Sequence, residues 1–364
     1  MDREKIQCLP SENDIREMVD WKNIPTLKDL KDNLTEATPS HNNHVSTVNE
    51  YISTLRGELR AKIMEGRSKV QPKLVRKQGE WRYSALEEPF LSTNDMFKVS
   101  PVTHADVESA RQHELILNKQ FRVDIPKVKL INRLVRTAVN TGTVIIKLGW
   151  ETEKDTVIEE VPVFTKSLEE TYEVLAQMVQ AGQISEEESI QILESGQPIQ
   201  IGVKSVEVEK EVINRPVVQI RDSRNVIIDP SCEGDIDNAQ FIIDKFTTDL
   251  SSLKKDGRYH NLDKIEEKNY ATVDDTYYHD NDYKSDPSFR FTDKPRKKLV
   301  AYEYWGYWDI DDSGIVKPIV ATWVGDTIIR LEENPFPDKK LPFVIIQYLP
   351  PDNETVYGDS DASL

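Results

Sequence analysis

One run constrains this chain more than any other: Val300-Ala-Tyr-Glu-Tyr-Trp-Gly-Tyr-Trp308. Aromatic and branched residues at this density suit a pleated, half-buried strand. Two further apolar runs follow, at 318–323 and 341–344. They are separated by turn-forming Asp309-Ile-Asp-Asp-Ser-Gly314 and Val324-Gly-Asp-Thr327. The spacing predicts an antiparallel meander over 298–364. No catalytic constellation is embedded in it.

Upstream, helical periodicity dominates. Val48, Ile52, Leu55, Leu59 and Ile63 keep the spacing of one helical face, with Gly66 as the expected stop. Residues 101–142 read as two helices. Thr103 and Asp106 form a capping box before the first, and Val128, Ile131, Val135 and Val139 stripe the second up to Gly142. Strands are expected at 143–148, 157–164, 205–212, 217–220, 225–228 and 240–246. A helical hairpin at 167–196 is bracketed by Ser167/Glu170, Ser185/Glu188, Gly182 and Gly196.

The fold class is therefore α+β, with N-terminal helices followed by mainly antiparallel β-sheet carrying a helical-hairpin insertion. The expected divisions are an irregular arm at 1–44, a helical part at 45–150, a β-rich part at 151–253, a polar excursion at 254–297 and the meander at 298–364. The arm is read as irregular because Pro10, Pro25 and Pro39 punctuate a polar stretch.

Charge narrows the function. The 364 residues carry 47 basic and 64 acidic side chains, a net −17 that opposes non-specific wrapping of nucleic acid. The hairpin resembles a helix-turn-helix in outline. However, seven glutamates and no Lys or Arg lie between Ser167 and Val203, so DNA would be repelled and a projecting protein–protein lobe is expected instead of a DNA-reading unit. Cys8 and Cys232 make no disulfide framework. No secretory signal or membrane-length apolar run is seen.

The candidate chemical sites weaken on inspection. Asp309–Gly314 imitates the opening of a calcium loop, but the position that should hold a bidentate Glu is Val320, which leaves a polar hairpin turn. The pairs Asp235/Asp237, Asp280/Asp282 and Asp359/Asp361 could serve a metal-dependent phosphodiester enzyme only if several carboxylates converged; loss of activity in Asp280→Ala or Asp309→Ala is what that alternative requires. His41 and His44 lack a completing ligand pair and are read as part of a solvated loop or N-cap region. No phosphate loop, dinucleotide fingerprint or nucleophile elbow is present. No catalytic residue, cofactor or metal is expected. A basic stretch between Arg56 and Arg82 and a second around Arg133 and Arg136 single out Lys69, Lys73, Arg76, Lys77, Arg133 and Arg136 as contacts for nucleic acid or an acidic neighbour.

The order of motifs resembles the portal proteins of tailed bacteriophages, of the larger short-tailed-phage type. The resemblance runs over roughly 75–364. It comprises Lys77-Gln-Gly-Glu-Trp-Arg82, the run 94–101, and a Gly-Thr-x-x-x-Lys-x-x-Trp strand at 142–150. The paired runs 217–222 and 225–230, Phe241-Ile-Ile-Asp244 and Thr248-Asp-Leu-Ser-Ser-Leu253 come next. Glu303-Tyr-Trp305, Pro342-Phe343 and Tyr357-Gly-Asp-Ser360 complete it. The resemblance implies a non-enzymatic virion subunit in a ring, usually of twelve copies, at one capsid vertex. Such a ring meets the major capsid protein, the terminase and tail or adaptor proteins. Double-stranded DNA passes through it without sequence-specific binding, and it is assembled in the host cytoplasm. The covered part is similar to the wing of such a subunit, with a stem expected beyond Leu364. Another head–tail connector or adaptor is the alternative, although the β-rich second half argues against one.

Overall fold

The computed structural model describes residues 18–58, 66, 72–164, 168–181, 184–185, 189–192, 200–268, 293–351 and 355–364. It is a mixed helix and antiparallel-sheet fold, helices first. The chain divides into two units, the first formed by Met1–Gly149 with Val217–Leu364 and the second by Trp150–Pro216.

The first unit opens with a long helix, α1 (Leu27–Arg56). Thr26 and Asp29 cap it reciprocally: the Asp29 amide donates to Thr26 Oγ1 at 3.3 Å and the Thr26 amide to Asp29 Oδ2 at 2.9 Å. The expected irregular arm through residue 44 is thus corrected. Pro39 sits mid-helix rather than ending one. Leu27, Leu30, Ala37, His41, His44, Val45, Val48 and Tyr51 form the buried face, and two histidines in that stripe disguise its periodicity. The helix stops at Gly57, whose φ of 68° is left-handed, nine residues before the expected Gly66. Residues 1–17 of the arm lie outside the described residues.

Helices α2 (Leu74–Leu91), α3 (Val107–Lys119) and α4 (Lys127–Thr141) follow. The capping box is present, with the Thr103 amide donating to Asp106 Oδ2 at 3.2 Å. Gly142 ends α4 with φ 78°. Ile131, Val135 and Val139 are buried against Tyr83 of α2, whereas Val128, read as the start of the stripe, is exposed.

Strand β1 (Thr143–Phe164) and strand β2 (Gln200–Arg221) are each 22 residues long and span both units, so four of the expected strands are two continuous ones. In the first unit, β3 (Val226–Ile228), β4 (Phe241–Asp249), β5 (Lys298–Trp308), β6 (Lys317–Val324) and β7 (Thr327–Glu333) form a five-stranded antiparallel sheet in chain order. The last strand, β8 (Phe343–Gln347), leaves this meander. It pairs with β1 through Thr143↔Gln347 to Lys147↔Phe343 in a sheet ordered β2-β1-β8. The meander expected over 298–364 therefore ends at Glu333.

The period of two sorts the five-stranded sheet into two buried faces. Ile243, Tyr304, Ala321 and Trp323 pack under Leu27, Leu30 and Ala37 of α1. Ile242, Trp305 and Val320 face Ile145 of β1 and Phe343 of β8. Ala138 and Leu130 of α4 cover the other side of β1 and β8 at Val144, Ile146 and Ile346. The unit is thus layered as α1, the five-stranded sheet, the β1–β8 sheet, and α4 with α2.

The expected polar excursion at 254–297 is corrected at its start. α6 (Leu250–Asp256) is capped by Asp249, which accepts from the Ser252 amide at 2.8 Å. α7 (Leu262–Lys268) buries Ile265 beside Leu253 and Leu299. Residues 269–292, including Asp280 and Asp282, lie outside the described residues.

In the second unit, the outer halves of β1 and β2 form a two-stranded ribbon, and α5 (Leu168–Gln180) is the first helix of the expected hairpin. Among its described side chains Leu175 and Thr171 are buried. Most of the second helix lies outside the described residues.

Candidate functional site

A row of polar residues crosses the five-stranded sheet on the face turned to β1 and β8. Registry aligns Val226, Asp244, Glu303, Thr322 and Arg330 on successive strands. Asp244 and Glu303 stand beside Ile242 and Trp305, which are fully buried two positions away. Uncompensated carboxylates there would cost several kcal/mol each, on the order of a protein's whole stability. They are compensated from the opposing sheet. Lys147 of β1 reaches across to Asp244 Oδ2 at 2.9 Å and also pairs with Glu303. Arg221 of β2 pairs with Asp244 Oδ1 at 2.8 Å. Arg330 of β7 pairs with Glu303 Oε1 at 3.2 Å and with Glu332.

Three cations thus meet three carboxylates, and the shifts follow. Burial works against the charge of Lys147, but Glu303 and Asp244 overcome it and hold its pKa above the ordinary lysine value. Burial likewise works against ionised Glu303, and Lys147 and Arg330 overcome it, so its pKa is lowered. Each carboxylate in the row is held against a cation. Such a row balances charge and fixes the register of two sheets; it does not present a base to a substrate.

A second junction lies beside it, around Tyr357-Gly-Asp-Ser360. The Gly358 amide donates to Thr143 Oγ1 at 2.9 Å, and the Asp359 amide to the Leu349 carbonyl at 2.8 Å. A Cβ on Gly358 would stand 2.7 Å from the Gly142 carbonyl oxygen, so the two backbones meet where only glycines fit. Four elements converge on the same segment. Tyr51 of α1 donates to Asp359 at 2.8 Å, and the Tyr348 hydroxyl to Asp361 at 3.1 Å. Arg82 of α2 pairs with Asp361 at 2.7 Å, and the Asp361 amide donates to the Val139 carbonyl at 3.3 Å.

His41 and His44 are not in a solvated loop: they form part of this junction. His41 Nε2 lies 2.9 Å from the Arg224 carbonyl, and His44 Nε2 lies 2.9 Å from Ser223 Oγ. The His44 ring stacks on Tyr357 with centroids 3.7 Å apart. Burial pushes the His44 pKa down to about 3, helped by His41 and Arg224, and burial lowers that of His41 as well.

The acidic motifs serve as caps and partners. Asp309 accepts from the Ser313 amide at 3.0 Å and the Gly314 amide at 2.7 Å, closing the β5–β6 turn. Asp235 accepts from the Asp237 amide at 3.0 Å. Among the described residues no group of three or more His, Cys, Asp or Glu could hold a metal ion.

The expected basic contacts are not gathered at the row. Lys73, Arg76 and Lys77 are exposed at and just inside the start of α2. Arg133 and Arg136 lie one turn apart on α4. Arg136 sits 4.5 Å over the Tyr83 ring and 3.7 Å from Glu80. Lys69 lies outside the described residues.

Four of the sequence motifs supply the row: Lys147 from 142–150, Arg221 from 217–222, Asp244 from 241–244 and Glu303 from 303–305. Two more, Pro342-Phe343 and 357–360, pack next to it: Phe343 lies edge-on to Trp305 at 6.5 Å, and Val356 shares their core. Arg330 was missed. Its signal is a lone cation inside the apolar run Thr327-Ile-Ile-Arg-Leu331, which places the charge in a core that needs a partner for it.

These charges and close backbone contacts hold the layers of the first unit together. The family model of the phage SU10 portal protein matches residues 26–364, and the chain belongs to that family. Portal proteins are structural components of the bacteriophage virion, at a capsid vertex, rather than enzymes. No helix among the described residues is long and apolar enough to cross a membrane.

Proposed function

We propose that this protein is the repeating subunit of a closed ring, of twelve copies, that forms the channel for DNA packaging and ejection. The ring serves as the docking platform for terminase during packaging and for tail or adaptor proteins afterwards. It is assembled in the host cytoplasm and built into the major capsid protein shell at one vertex. The observation that carries this reading is the family match across 26–364. The net charge of −17 also supports a channel along which DNA moves without adhering. Lys73, Arg76, Lys77, Arg133 and Arg136, with Lys69, are proposed to contact an acidic neighbour rather than bases.

Negative-stain electron microscopy of the purified full-length protein, with light scattering on the same sample, tests this. Rings with a central hole are expected. A uniform monomer would overturn the ring reading, and magnesium-dependent phosphodiester cleavage abolished by Asp309→Ala would replace it with an enzymatic one.

A further inference from the structure

The second unit poses a physical problem. A two-stranded ribbon is marginal in water unless something covers it, yet residues Ile158, Val161, Val203 and Val212 of the ribbon are all exposed. Glu151, Glu153, Glu159 and Glu160 on β1 and Glu207, Glu209 and Glu211 on β2 make the ribbon acidic, and Arg215, Lys210 and Lys154 offset only part of that charge, pairing with Glu151, Glu159 and Glu209. Over Trp150–Pro216 the chain has fifteen acidic and five basic residues, a balance of −10.

The first unit carries a surface of opposite character. Residues 107–136 hold seven basic and three acidic side chains. Arg111, Leu115 and Lys119 follow one another at four-residue spacing on α3, and all three are exposed. Ile116, Arg122 and Val123 are exposed next to them. The two surfaces match: each combines an excess of one charge with exposed apolar side chains, and the excesses are of opposite sign. A surface patch that must be covered, with a different complementary patch on the same chain, is the arrangement of a head-to-tail contact.

We infer that the acidic ribbon of one copy docks on the basic, apolar α3 face of a second copy. This deepens the ring reading above and rests on it: it names which surfaces of neighbouring subunits meet. The occupant is a second copy because charge complementarity favours a cationic surface, which also disfavours DNA for the ribbon. Electrostatic steering would set the order of subunits, and burial of Leu115 and Val123 against exposed apolar side chains of the ribbon would hold it.

The test uses two charge-reversed forms of the full-length protein, Arg111→Glu/Lys119→Glu and Glu207→Lys/Glu209→Lys, with ring fraction read by electron microscopy. All four positions are exposed, so both variants should fold, as circular dichroism will check. Each variant alone brings like charges together at every contact, and its ring fraction should fall about tenfold or more. Mixed in equal amounts they make every contact complementary again, and rings should return, with the two forms alternating. If wild type forms rings and either variant alone does too, the contact is wrong while the ring reading stands. If both folded variants fail and the mixture fails as well, the faces meet other partners and the inference is overturned. If wild type forms no rings, both readings fall.

Discussion

Removing the Lys147 ammonium would strand two buried carboxylates, Asp244 and Glu303, each of which would keep only an arginine partner. Lys147→Met should therefore destabilise the protein by about 3–5 kcal/mol, measured by denaturant unfolding. A loss below about 1 kcal/mol would mean that water already screens the row. The buried histidines give a second residue-scale expectation, with opposite chemistry. His44 has a folded pKa of about 3 against an unfolded 6.5, so between those values the unfolded chain binds the extra proton. Stability contributed by neutral His44 is present above 6.5 and lost as pH falls toward 3. Thermal midpoints should drop steadily on acidification across that window. His44→Phe, which keeps a ring against Tyr357 and cannot be protonated there, should flatten the slope while lowering the midpoint at pH 7 through loss of the Ser223 partner.

At the scale of elements, the junction between the end of α4 and residues 357–360 is held by backbone. Gly142→Ala combines a left-handed φ of 78° with a Cβ driven into the Gly358 carbonyl. It should cost at least about 2 kcal/mol, shifting the denaturant midpoint without changing the slope. The same elements show what was legible in the sequence. Strands β4 to β7 could be read because alternation and turn residues agree: Asp309–Gly314 and Gly325 fall where the chain reverses. The C-terminal part of helix α1 could be read from Val48, Ile52 and Leu55, but its N-terminal part could not, because the buried face there includes His41 and His44, whose polarity is satisfied by Arg224 and Ser223 some 180 residues away in sequence. Nor could the departure of β8 from the meander be read, since Phe343 fits either sheet by pattern; what decides is the pairing with Thr143–Lys147. The charge row was half visible: its members stood in separate motifs, and only tertiary registry shows that they touch.

At the scale of the whole molecule, the two units separate at a pair of neighbouring strand positions. A Cβ on Gly149 would stand 4.0 Å from the Val217 Cβ. Replacing Trp150–Pro216 with an Asn-Gly turn should let the first unit fold cooperatively, with a thermal midpoint within about 5 °C of the parent. Calorimetry would check it, and a molten, non-cooperative product would show that the first unit needs the second. If the ribbon supplies the contact between copies, the same shortened protein will be folded and monomeric.

The junction at Tyr357–Ser360 also has a meaning in time. During synthesis α1, α2 and α4 emerge early, but Tyr51, His44, Arg82 and Gly142 meet their partners only when residues 357–361 follow, more than two hundred residues after Gly142. Until then the first-made helices wait with their polar contacts unmade. A chain whose translation stops before residue 357 would therefore leave Tyr51, His44, Arg82 and Gly142 without these partners.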